Sequence, residues 1–245
     1  MNKGLKFFAA LTCAVVCGAC TPHAETETAI TSQPLSVEDQ ALVKRFSVLK
    51  GGGEFVIDSI ATQPGVLDVL DEKGRHIEGG SFREGTNSKA SYGSNFGVPK
   101  ALRVIWRTGE GIRMKMDISA GAWEGGVISW DQTISVAERI PDELLEDLRK
   151  NGGGFRLKIR LHDEGVLVGW DIERRPNLKG FSDREMRERN IYLAPHYSAT
   201  GGDFKEARLL QYGENASGLF WQDPAVFERG WYIHPKTGER IETDF

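Results

Sequence analysis

The sequence predicts an α+β fold, mainly antiparallel β in sandwich-like sheets, with two or three short helices. Three observations carry that expectation. Short runs of alternating apolar and polar residues recur along the chain, and Gly, Asn and Asp turn signals separate them. The helices that a parallel sheet needs between its strands are missing from most of the gaps.

The folded body is expected from residue 36 to residue 245 as one β-rich domain. Ser36-Val37-Glu38-Asp39 is placed to cap a short helix towards Phe46, with Val37, Leu42, Val43 and Phe46 inward. Gly51-Gly52-Gly53 ends it. Strands are expected at Glu54 to Ile60 and at Val66 to Asp71, the second turning at Glu72-Lys73-Gly74 into Arg75 to Glu78. Residues 79–98, rich in Gly, Ser and Asn, read as a long loop. Leu102 to Arg107 and Ile112 to Ile118 read as a hairpin around Thr108-Gly109-Glu110-Gly111.

Val127 to Val136 holds one or two further strands. Pro141 to Lys150 is the clearest helix, with acids in its first turn, bases in its last and Asn151-Gly152 as its stop. In the next strand Phe155, Leu157, Ile159 and Leu161 alternate with Arg156, Lys158, Arg160 and His162. The basic side of that strand is expected to be a solvated sheet surface. Asp163-Glu164-Gly165 turns the chain into Val166 to Glu173. Ser182-Asp183-Arg184-Glu185 matches a capping box, residues 191–229 read as irregular, and Gly230 to Thr243 reads as a closing hairpin.

The N-terminus gives an address. Met1 to Lys6 is basic, and Phe7 to Ala19 is an apolar run that ends in Cys17-Gly18-Ala19-Cys20. That layout is a secretory signal, and the run falls short of the ~20 residues that cross a bilayer as a helix. It resembles the lipobox of bacterial lipoproteins, although Cys17 stands where Leu, Val or Ile is usual. The resemblance implies that residues 1–19 are removed and that Cys20 is diacylated. It also implies sorting to the outer membrane, since Thr21 and not Asp follows the cysteine. Two or more acyl chains hold such a protein stably, each buried methylene contributing roughly 0.8 kcal/mol. Residues 20–35, polar and Thr-rich, read as a flexible tether.

Cys13 and Cys17 leave with such a leader, so the mature chain has no cysteine pair for a disulfide or thiolate metal site. Loss of Lys3 and Lys6 takes the formal charge from -4 to -6. Acids and bases are interleaved, which leaves no nucleic-acid footprint. No phosphate loop, dinucleotide fingerprint, His-Glu-x-x-His or Gly-x-Ser-x-Gly occurs, and no cofactor is expected. The five histidines lack ligand spacing, and the two triple-glycine runs read as turns or linkers. Trp106 and Trp170 are expected in the core. Trp123, flanked by glycines, and Phe220-Trp221 stand in irregular segments, where aromatic anchors bind partners.

Val98-Pro99-Lys100-Ala101-Leu102-Arg103-Val104-Ile105-Trp106, with the lipobox and the Gly-Trp-Tyr-Ile-His-Pro-Lys-Thr-Gly hairpin, completes a second likeness. The order resembles small proteobacterial lipoproteins of unknown function, some encoded beside type VI secretion phospholipase effectors. It implies a non-enzymatic, membrane-attached protein with a protein partner, such as an immunity protein against a lipase effector. Loop-borne aromatics and carboxylates also fit an alternative, an envelope enzyme or carbohydrate-binding module acting on peptidoglycan or surface glycan.

Overall fold

Ser36 caps the first helix, its Oγ accepting from the Asp39 amide at 3.0 Å. The computed structural model describes residues 34–117, 121–174, 182–188, 196–206, 208–210, 226–228 and 230–243. Pro34 aside, these belong to one compact unit, Leu35–Phe245. Cys20 and the tether up to residue 33 lie outside the described residues, as do Phe220 and Trp221.

Helix α1 spans Val37–Arg45. Its expected inward face holds only in part: Phe46 is buried and Leu42 packs on the core, but Val37 and Val43 are exposed. The helix docks by its C-terminal end, where Arg45 bonds the Asp142 carboxylate at 2.7 Å and the Ala137 carbonyl at 2.7 Å. Its first turns therefore stand clear of the core.

Strands β1 (Gly52–Ser59), β2 (Gly65–Asp71), β3 (His76–Phe82) and β4 (Asn87–Gly93) follow. Then come β5 (Ala101–Thr108), β6 (Arg113–Met114), β7 (Trp123–Glu124) and β8 (Val127–Ser135). Helix α2 (Asp142–Asn151) begins after Pro141 and stops at Gly152, whose φ of 69° suits glycine. Beyond it lie β9 (Gly154–His162), β10 (Gly165–Arg174) and the short α3 (Asp183–Glu188), closed by the reciprocal Ser182–Glu185 capping box. Strands β11 (His196–Gly202), β12 (Phe204–Lys205), β13 (Arg208–Leu210), β14 (Val226–Glu228), β15 (Gly230–Ile233) and β16 (Arg240–Thr243) complete the chain.

The main sheets run β11-β10-β9-β1-β4 and β3-β2-β5-β8. Phe55 and Ile57 of β1, Leu157 and Ile159 of β9, Leu67 and Val69 of β2, and Val104 and Trp106 of β5 meet in one core. Leu144, Leu145 and Leu148 of α2 join it. The α+β class with sandwich-like, mainly antiparallel sheets is thus the observed one. One pairing, β1 with β9, is parallel.

Four expectations are corrected. Residues 79–98 are no loop: β3 continues to Phe82, and β4 pairs with β1 from Gly52↔Gly93 to Asp58↔Asn87. Leu102–Arg107 and Ile112–Ile118 form no hairpin. Strand β5 pairs with β2 and β8, while β6, among the described residues, pairs with β7 alone. Within 191–229, four strands stand where irregular chain was expected. The basic face of β9 is not solvated, since Arg156, Lys158 and Arg160 are all buried.

Candidate partner-binding site

Strands β5 and β8 are joined by an excursion, residues 109–126, whose described part is the β6–β7 ribbon. Strand β2 pins it. Asp68, buried in that strand, accepts from the Ala122 amide at 2.6 Å and from the Trp123 amide at 3.3 Å. Gly121, with φ 102°, stands where another residue would be strained, and a Cβ there would come within 3.0 Å of the Asp68 carboxylate. The ribbon base thus covers a carboxylate that no apolar face of β2 could satisfy.

Trp123 is half-buried, and its Nε1 is shielded from solvent without a hydrogen-bond partner. Its cross-strand neighbour Met114 is 64 % exposed. Met116, Val127 and Ile128 are exposed on the same excursion and the strand that follows it. Among the described residues, four large apolar side chains are thus exposed from Met114 to Ile128. Arg113 pairs with Glu124 across the ribbon at 2.7 Å.

Strand β8 is also the edge of its sheet. Near its middle the β9–β10 turn leans on it: Gln132 Oε1 accepts from the Val166 amide at 3.1 Å, and Trp130 Nε1 donates to the His162 carbonyl at 3.3 Å. Val127–Ser129 carries no such cover among the described residues. An exposed apolar edge of this kind is a template for another strand.

Two further clusters are built on β9 and the turn that follows it. On the outer face of the five-stranded sheet, Arg156 bonds Asp171 twice at 2.6 Å, Lys158 lies 3.1 Å from Asp171, and Arg160 bonds Asp58 at 2.6 Å. Tyr197 stacks over Arg156 at 4.1 Å, and the Phe204 ring stands over Arg160 at 4.3 Å and Lys158 at 5.0 Å. Burial pushes the Asp171 carboxyl up, but Arg156 and Lys158 outweigh it and hold its pKa below the usual carboxylate range. The partners come from other strands, which is why alternation along β9 alone could not reveal them.

The second cluster sits at the β9–β10 turn. The His162 and His234 rings lie 4.9 Å apart, and His234 Nε2 faces Glu164 at 3.4 Å. Each Nδ1 accepts from backbone, His162 from Glu164 and His234 from Lys236 and Thr237. Burial, with the neighbouring His234, depresses the His162 pKa. Asp163 turns away to hold the Thr62 and Gln63 amides at 2.9 and 3.3 Å. Among the described residues, no three His, Cys, Asp or Glu are disposed to hold a metal ion.

Of the residues singled out in the sequence, Trp123 is placed on the ribbon, while Cys20, Phe220 and Trp221 lie outside the described residues. No helix among the described residues is long and apolar enough to cross a membrane. Compared with known sequence families, characterised proteins and solved structures, the chain matches none.

Proposed function

We propose that this chain is a lipoprotein of the cell envelope, anchored in the outer membrane through diacylated Cys20 and facing the periplasm. Its β-rich body acts as a non-enzymatic module that binds another protein through the Trp123 hairpin and the adjoining edge of β8. The observation that carries this reading is the exposure of Met114, cross-strand from half-buried Trp123, with Met116, Val127 and Ile128 exposed nearby in the chain. An extended apolar segment of a partner fits such a surface, its backbone adding to the β8 edge and its side chains lying on the ribbon. A secreted lipase effector is the partner class to test first, because the lipobox and the closing hairpin resemble lipoproteins encoded beside such effectors.

The test is binding of the purified body to the product of a neighbouring effector-like gene. The parent should form a stable complex that buries on the order of 1,200 to 2,000 Å². Trp123→Ala and Met114→Glu should each weaken it by at least about tenfold, roughly 1.4 kcal/mol. Binding that ignores both changes sinks the assignment of this face.

The reading as an envelope enzyme or carbohydrate-binding module has one observation in its favour, a cleft lined by Glu54 and Glu173. It is the weaker one. Each carboxylate already faces a cation, and no tryptophan lines the cleft.

A further inference from the structure

Strands β1 and β9 begin their parallel register at Glu54↔Arg156. Ahead of that pair stand Gly52-Gly53 on one strand and Gly153-Gly154 on the other. These glycines line a cleft of about 960 Å³. Both triple-glycine runs, read from composition as turns or linkers, contribute to its wall.

Glycine is required on the β1 side. A Cβ on Gly52 would stand 2.2 Å from the Tyr92 carbonyl, and one on Gly53 would stand 3.0 Å from both the Phe155 carbonyl and the Tyr92 hydroxyl. That hydroxyl is shielded from solvent and has no hydrogen-bond partner. Burial pushes its pKa far up, so it stays protonated, a donor without an acceptor beside the cleft wall.

The chemistry of the wall narrows what the cleft can take. Val48, Leu49, Leu148 and Phe155 supply apolar surface. Of the charged groups, Glu54 faces Lys89 at 3.4 Å and Glu173 faces Arg156 at 3.6 Å. Lys50 and Arg149 face no carboxylate among the described residues; Arg149 donates only to the Arg45 carbonyl, at 3.0 Å. The unmatched charge of the cleft is therefore positive, next to an apolar wall.

We propose that this cleft binds a small amphipathic carboxylate. Its apolar body lies on the Leu148 and Phe155 wall, and its head group sits between Lys50 and Arg149. The cleft's volume falls in the range of small-molecule clefts, roughly 300 to 1,000 Å³. The site is separate from the Trp123 hairpin and does not depend on it.

Decanoate, below its micelle concentration, is the probe, with decyltrimethylammonium as the chain of opposite charge. The protein is the full chain carrying Cys20→Ala, so that no acyl group of its own competes. Calorimetric titration should give one saturable site for decanoate and at least about tenfold weaker binding of the ammonium. Gly154→Trp fills the cleft, since a Cβ there meets nothing nearer than the Glu173 carbonyl at 4.0 Å. It should abolish binding while leaving the melting temperature in place. Lys50→Glu with Arg149→Glu should reverse the preference between the two probes. No saturable decanoate site up to about 1 mM overturns the proposal. Binding that is indifferent to both variants, each still folded by its melting transition, overturns it equally.

Discussion

Arg156 and Asp171 face each other across β9 and β10 with two hydrogen bonds of 2.6 Å, both side chains buried. This pair fixes how the outer face of the five-stranded sheet is covered. Lys158 shares the same carboxylate, and Tyr197 and Phe204 roof the three cations of β9. Removing one partner leaves a charge in a dry place, and breaking such a pair costs about 3 to 5 kcal/mol. Asp171→Ala should therefore lower stability by about that amount in denaturant unfolding. Replacing all three residues, as Arg156→Met and Lys158→Met with Asp171→Leu, should recover much of the loss.

The same carboxylate, with Asp71, Asp131 and Asp163, contributes to an acid limit. Its folded-state pKa lies below its unfolded value, so its contribution is present above about pH 4 and is lost as pH falls through the folded pKa. His162 acts at higher pH. Its folded-state pKa is also depressed, so the unfolded chain binds the proton first and stability falls as pH drops below about 6.5. The groups around it are His234, Asp163 and Glu164. Stability measured against pH should show two steps on acidification, and His162→Gln should flatten the upper one while sparing the lower.

These relationships divide what was legible in the sequence from what was not. The β9–β10 hairpin, α2, the Ser36 cap, the Ser182–Glu185 box and the closing hairpin follow from patterns of a few neighbouring residues. The excursion after β5 misled because Thr108 to Gly111 has every local sign of a tight turn. Leu102 to Arg107 instead satisfies its backbone on β2 and β8, and β6, among the described residues, finds only β7. Strand β4 is small and polar, with the sequence Asn-Ser-Lys-Ala-Ser-Tyr-Gly, and is a strand because β1 pairs with it. The buried cations were illegible for the same reason: Arg160 finds Asp58 a hundred residues away. Trp123 could be suspected from its glycine neighbours, but the Asp68 anchor beneath it could not.

Asp68 gives a way to loosen the ribbon without touching its surface. Asp68→Ala removes the acceptor for two amides, and an unsatisfied buried group costs about 1 to 3 kcal/mol. Limited proteolysis should then cut within residues 109–126 well before the rest of the body. A cleavage pattern like the parent's would show that the ribbon is held by something other than this carboxylate.

The anchor has its own readout. Cys20→Ala should abolish labelling by radioactive palmitate and release the protein from the membrane fraction. Labelling that survives the change contradicts lipidation at this residue.

The partner-binding claim is tested most directly by photo-crosslinking in cells from single positions. A photoreactive phenylalanine placed at Met114 or Val127 should capture one discrete protein, and the same residue at Glu146 on α2 should not. The captured protein, once purified, should bind the parent and lose at least about tenfold in affinity for Trp123→Ala. Equal capture from all three positions, or a purified partner that binds Trp123→Ala as well as the parent, would contradict the account.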